Sequence, residues 1–148
     1  MSLDVDVAAD GVRLPVSRER VRWLAEHVLR AERVRDALVS IAFVSGREIA
    51  RLNERHLGHR GPTDVISFGL VPVERRGPVV GDVYIAPDVA RRNAKAEGTG
   101  VREELMRLVV HGVLHVLGHD HPDEREARYA SPMWKRQERL LRSAPVRA

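Results

Sequence analysis

His111-Gly112-Val113-Leu114-His115-Val116-Leu117-Gly118-His119-Asp120-His121 closes a segment that begins near Glu103 and is apolar almost all the way round. Leu105, Met106, Leu108, Val109, Val110, Val113, Leu114, Val116 and Leu117 leave no polar stripe, so the helix predicted over 103–117 is a buried one. His111 and His115 stand at i and i+4, one turn apart on one helix face, and can direct ring nitrogens to one point. Gly118 tolerates the left-handed conformation that ends a helix. The chain can then fold back and bring His121 to the same point. Three neutral imidazoles with a fourth position open are the arrangement of a catalytic zinc. Unpaired polar groups in such an apolar helix would cost ~1–3 kcal/mol each, and a shared metal removes that cost. The expectation is one Zn2+ per chain on His111, His115 and His121. His119 competes for the third place, but only a continued helix would put it on the same face, and Gly118 argues against continuation.

The spacing also matches the metzincin proteases at every position but one. Those carry Glu after the first His as general base, where this chain has Gly112. What remains is a zinc hydrolase whose base lies elsewhere, or whose nucleophile is hydroxide from water that zinc acidifies toward pKa ~7.

Working outward, Leu3-Asp4-Val5-Asp6-Val7 alternates with period two and reads as a strand. Ser17 can cap a helix running to about residue 31. A β-branched apolar run over 37–44 is a second strand. Ser45 with Glu48 three residues on opens a second helix, which ends near Leu57-Gly58. The loop GHRGPT over 58–63 precedes strands over 64–70 and 80–86. Pro87-Asp88 starts a helix that ends at Gly98. After the histidines, Asp123 and Glu126 start a last helical stretch, which Ser131-Pro132 interrupts and Trp134 to Leu141 continues. Strands come early and helices late. The fold class is therefore α+β: one domain over 1–142, a mixed four-stranded sheet with about five helices, and a frayed tail over 143–148.

Composition bounds the function. The 148 residues suit one domain, and 43% apolar content is too high for a disordered chain. With no cysteine there is no disulfide, thiol nucleophile or Cys-type zinc finger. No apolar run approaches the ~20 residues of a membrane span, and the acidic, alternating start is no signal peptide. A soluble cytoplasmic protein is expected. The net charge is +4, and among 25 basic residues only Lys95 and Lys135 are lysine. Arg forks match phosphate geometry, although a bias toward Arg codons explains most of this. Aromatics at 4% argue against a stacking-platform RNA module.

HGVLHVLGHDH resembles the signature of the YbeY family, bacterial endoribonucleases of rRNA maturation. Two further stretches resemble it in the same order: Leu52-Asn53 through Gly61-Pro62-Thr63-Asp64-Val65-Ile66-Ser67-Phe68, and Gly81-Asp82-Val83-Tyr84-Ile85-Ala86-Pro87. The resemblance covers about 41–126. It implies an α+β fold, a zinc on His111, His115 and His121, and an endoribonuclease selective for single strands. It also implies partners in ribosomal RNA and the small ribosomal subunit, maturation of the 3′ end of that RNA, and ribosome quality control. Neither DNA nor a membrane is expected as a partner.

Two positions depart from the family. Where it carries Tyr-Arg after LNxx, with the Arg linked to activity, this chain has His56 and Leu57. Pro132 stands where the family runs a terminal helix and reads as a kink. The candidates for the missing cation, and hence for catalytic roles, are Arg60, Arg55 and His59, each of which is otherwise a solvated loop residue. Ser67 and Asp82 read as a strand hydroxyl and a turn carboxylate. Arg91, Arg92 and Lys95 read as solvated surface rather than an RNA track. Asp120 either orients an imidazole or accepts a turn N–H. Two other functions stay open: a metallopeptidase, against which Gly112 counts, and a ribosome assembly factor with a purely structural zinc.

Overall fold

The computed structural model describes residues 2–58, 61, 63–70 and 77–145. Four strands form one sheet: β1 (Leu3–Ala9), β2 (Ala37–Phe43), β3 (Val65–Leu70) and β4 (Val79–Ile85), in the order β1-β2-β4-β3. β1, β2 and β4 run parallel, and β3 pairs antiparallel with β4 at the edge. The sheet is mixed because β3 returns directly beside β4, whereas the parallel pairs need crossovers. Burial alternates along β2, so Ala37, Val39, Ile41 and Phe43 face the core while Leu38 and Ser40 face outward.

Among the described residues six helices complete the domain: α1 (Arg18–Ala31), α2 (Gly46–Leu57), α3 (Pro87–Glu97), α4 (Val101–Val116), α5 (Arg125–Tyr129) and α6 (Pro132–Ser143). The N-caps of α1 and α2 are those expected of the sequence. Ser17 Oγ accepts from the Arg20 N–H and Ser45 Oγ from the Glu48 N–H, both at 3.1 Å. Satisfying such orphan donors contributes about 1 kcal/mol per cap.

The last helical stretch differs from expectation. Glu124, not Asp123, caps α5, accepting from the Glu126 and Ala127 N–H groups. Pro132 is no kink. Ser131 accepts from the Trp134 N–H at 3.2 Å, so Ser-Pro opens a new helix with proline at its first turn. There the missing N–H removes no hydrogen bond. Ser143 ends α6, and 146–148 lie outside the described residues.

α4 is the centre of the molecule. It packs on β3, β4, α1, α3 and α6, which is why almost its whole circumference is apolar. Its approach to the sheet depends on glycine. A Cβ on Gly112 would lie 2.5 Å from Val83 Cγ1, and one on Gly81 would lie 2.4 Å from Val116 Cγ1. Ser67 sits in the same seam and donates its hydroxyl to the Gly112 carbonyl at 3.1 Å. Its role is to tie β3 to α4. Among the described residues no helix is long and apolar enough to cross a membrane.

Candidate metal centre

His111 and His115 project from one face of α4, with ring centroids 4.6 Å apart. The helix ends in a Schellman motif: the Gly118 N–H bonds to the His115 carbonyl and the His119 N–H to the Leu114 carbonyl, both at 3.0 Å. Gly118 takes φ +96°, a conformation that a side chain would strain. This reversal brings His121 back over the helix, 5.0 Å from each of the other two rings. One ligand atom from each of the three lies within 4.8 Å of the others.

The second nitrogens of His111 and His121 are already engaged. His111 Nδ1 lies 2.6 Å from Gln137 Oε1, and His121 Nδ1 lies 2.9 Å from the Pro122 carbonyl. Both Nδ1 atoms therefore donate, which leaves Nε2 with its lone pair for a metal. Gln137 cannot turn its amide round, because its NH2 donates to Glu138 at 3.1 Å. Glu138 is in turn held by Arg107 at 2.9 and 3.0 Å. Burial tends to raise the Glu138 carboxyl, but these bonds outweigh it and hold the group below its usual range.

Burial, and then the neighbouring His115, lowers the His111 pKa to about 4, against the pull of Gln137. Burial and then His121 lower that of His115. Both imidazoles are thus neutral at pH 7, the state a metal requires. The donor set fits a divalent zinc-like ion: three imidazole nitrogens, two of the rings oriented from behind, and no thiolate.

His119 faces elsewhere. Its Nε2 pairs with a carboxylate oxygen of Glu32, the residue that caps the C-terminus of α1. Arg136 grips the other Glu32 oxygen at 2.9 and 3.2 Å. The competitor to His121 is therefore the anchor of the loop that carries His121. Asp120 accepts from the His121 N–H at 2.8 Å, so it stabilises the turn rather than an imidazole.

The remaining candidates separate as follows. Arg55 is exposed on the last turn of α2, and neighbouring His56 packs edge-on against Phe68, with centroids 5.3 Å apart. Leu57 is 48% exposed. His59 and Arg60 lie outside the described residues, but buried Asn53 donates to the Gly61 carbonyl at 3.0 Å and so holds the end of their loop. Asp82 accepts from Ser40 at 2.7 Å on the outer face of the sheet. Arg91 pairs with Asp88 at 3.5 Å, and Arg92 and Lys95 are exposed.

Sequence reasoning missed Gln137. A buried glutamine on an amphipathic helix gives no local signal, because its partner is on another helix. Gln137→Leu should lower metal affinity about 10–100-fold, the usual effect of losing a group that orients a ligand. Competition against a chelator measures this, and unchanged affinity would reject the orienting role.

A family model described as Endoribonuclease YbeY matches residues 8–144. Among similar proteins, the Endoribonuclease YbeY of Bacillus licheniformis is 38% identical over 95% of this chain and 94% of its own length. That of Syntrophus aciditrophicus is 33% identical over 93% and 88%. A solution structure of TM1509 from Thermotoga maritima superposes with a TM-score of 0.60 at 26% identity, covering 93% of this chain and 86% of that one. The sequence match thus runs along nearly the full length of these relatives, and the chain that gathers His111, His115 and His121 belongs to the YbeY family.

Proposed function

We propose that the chain is a zinc-dependent endoribonuclease that cleaves single-stranded RNA and acts in the cytoplasm on the 3′ end of small-subunit ribosomal RNA. The observation that carries this reading is the three-histidine group, in which Nδ1 of His111 and of His121 is occupied and Nε2 of each is left for a metal. Its relatives are named endoribonucleases. When bound, zinc supplies a Lewis acid and a hydroxide-strength nucleophile near neutral pH.

The chain's own residues do the rest. Gln137 and the Pro122 carbonyl orient the His111 and His121 rings. The Glu32 pairing with His119 fixes the loop that presents His121. Gly112 sits where a metzincin would carry its base, and the sheet leaves no room there for any side chain. That speaks against a peptidase.

A polyanionic substrate also needs a cation, because a bidentate Arg both positions and neutralises a phosphate. Arg60 is the first choice, and Arg55 and His59 are the alternatives. Arg60→Ala should cut cleavage about ten-fold or more, equivalent to ~1.4 kcal/mol of transition-state stabilisation, with zinc content unchanged. A rate equal to that of the parent would remove Arg60 from the reaction.

The deciding experiment compares zinc-loaded and chelated protein on single-stranded and duplex RNA of one sequence. Metal-dependent cleavage of the single strand is expected. No cleavage by fully loaded protein would favour a structural zinc in an assembly factor.

A further inference from the structure

Beside the three histidines lies a cavity of about 410 Å³ bordered by α3, α4, α5 and α6. Of the metal-site imidazoles only His111 lines it. Two aromatic rings form part of its wall: Tyr129 and Trp134, tilted 54° to each other with centroids 4.5 Å apart. In a chain with 4% aromatic residues, such a pair is a concentrated resource. Opposing polar groups complete the lining. Asp64 accepts from the Asn93 amide at 3.3 Å and feels the charge of Arg128. Arg128 donates from one terminal nitrogen to the Asp123 carbonyl at 2.8 Å, but its Nε is buried with no hydrogen-bond partner among the described residues.

The lining chemistry narrows the ligand. A metal cation is disfavoured because each carboxylate already faces a guanidinium: Glu104 pairs with Arg107 at 3.3 Å, and Asp64 has Arg128. A phosphate would meet those same carboxylates. A neutral, flat group with N–H and C=O side by side suits both the rings and the polar wall. It can stack on an aromatic face, donate to Asp64 or Asn93, and accept from Arg128. Burial holds the Asp64 carboxyl above its usual range.

We propose that this cavity receives one unpaired nucleobase of the RNA, from a nucleotide flanking the phosphate presented to the three histidines. The proposal rests on the endoribonuclease reading above. A paired base cannot enter without being unstacked and turned out of its helix, so the cavity would select single strands. It would also impose a base preference at one position beside the cut.

The chain has two tryptophans, so Trp23→Phe leaves Trp134 as the sole reporter. In that background the full-length protein is titrated with the four ribonucleosides and with ribose, and Trp134 fluorescence is followed. Saturable quenching by nucleosides but not by ribose is expected, with one base bound most tightly. Asp64→Asn and Arg128→Met should each weaken it about ten-fold, within the range of base contacts and stacking, with unchanged circular dichroism and zinc content. In the same preparation, an abasic nucleotide walked along a cleavable RNA should slow cutting about ten-fold or more at one flanking position only. Cleavage with no quenching and no abasic effect would overturn the proposal. Quenching with no cleavage of any RNA would instead overturn the nuclease reading on which it rests.

Discussion

His115→Ala is expected to leave the purified chain without stoichiometric metal and without metal-dependent RNA cleavage. Two imidazoles hold zinc poorly, and His111 and His121 have no further His, Asp or Glu within ligating distance among the described residues. The loss should exceed the ~10–100-fold expected when only an orienting partner is removed. Elemental analysis after dialysis measures it, and full zinc retention would sink the assignment. Because alanine is a good helix former and His115 is only half-buried, the fold should survive. His119→Ala gives the contrast. It should keep most of the metal, since His119 is paired with Glu32 rather than aimed at the other rings.

Gly112→Ala tests the seam between α4 and the sheet. The new Cβ would lie 2.5 Å from Val83 Cγ1, and Val83 is fully buried and stiff at χ1. Nothing there can yield cheaply, so the expected cost is about 1–3 kcal/mol. In a domain of this size that lowers Tm by roughly 3–10 °C. Calorimetry on the two proteins checks it. Gly46→Ala, whose Cβ meets only Val89 Cγ2 at 3.9 Å, should leave Tm unchanged or raise it. An unaltered Tm in Gly112→Ala would mean that close approach is not what requires glycine. Gly112→Glu should be worse still, which explains why a protease-like histidine spacing lacks the protease's base.

The legible parts of this protein were those in which one short segment carries the whole message. Period-two alternation identified β1, and cap residues located α1 and α2. The i, i+4 histidines and Gly118 implied the metal group from spacing alone. What was not legible depends on partners distant in sequence. Gln137 matters because it meets His111, and Glu32 because it meets His119, 87 residues away. Gly112 could be recognised as the absence of a base, but not as a contact with Val83. Ser131-Pro132 reads as a kink in sequence because proline serves both to kink a helix and to begin one, and only the cap to Trp134 shows that here it begins one.

The Glu32 and Gln137 contacts also bear on synthesis. A ribosome releases the chain from its N-terminus, so Glu32, at the end of α1, is made long before the loop it will anchor. Gln137 and Arg136, which steady His111 and Glu32, come from α6, which is made after all three histidines. All three ligating histidines are therefore translated before the glutamine that orients His111 and the arginine that steadies Glu32. A nascent chain stalled short of α6 would carry the histidines without their finished cage. Full metal affinity, and with it the capacity to cut RNA, would belong only to a chain translated through α6.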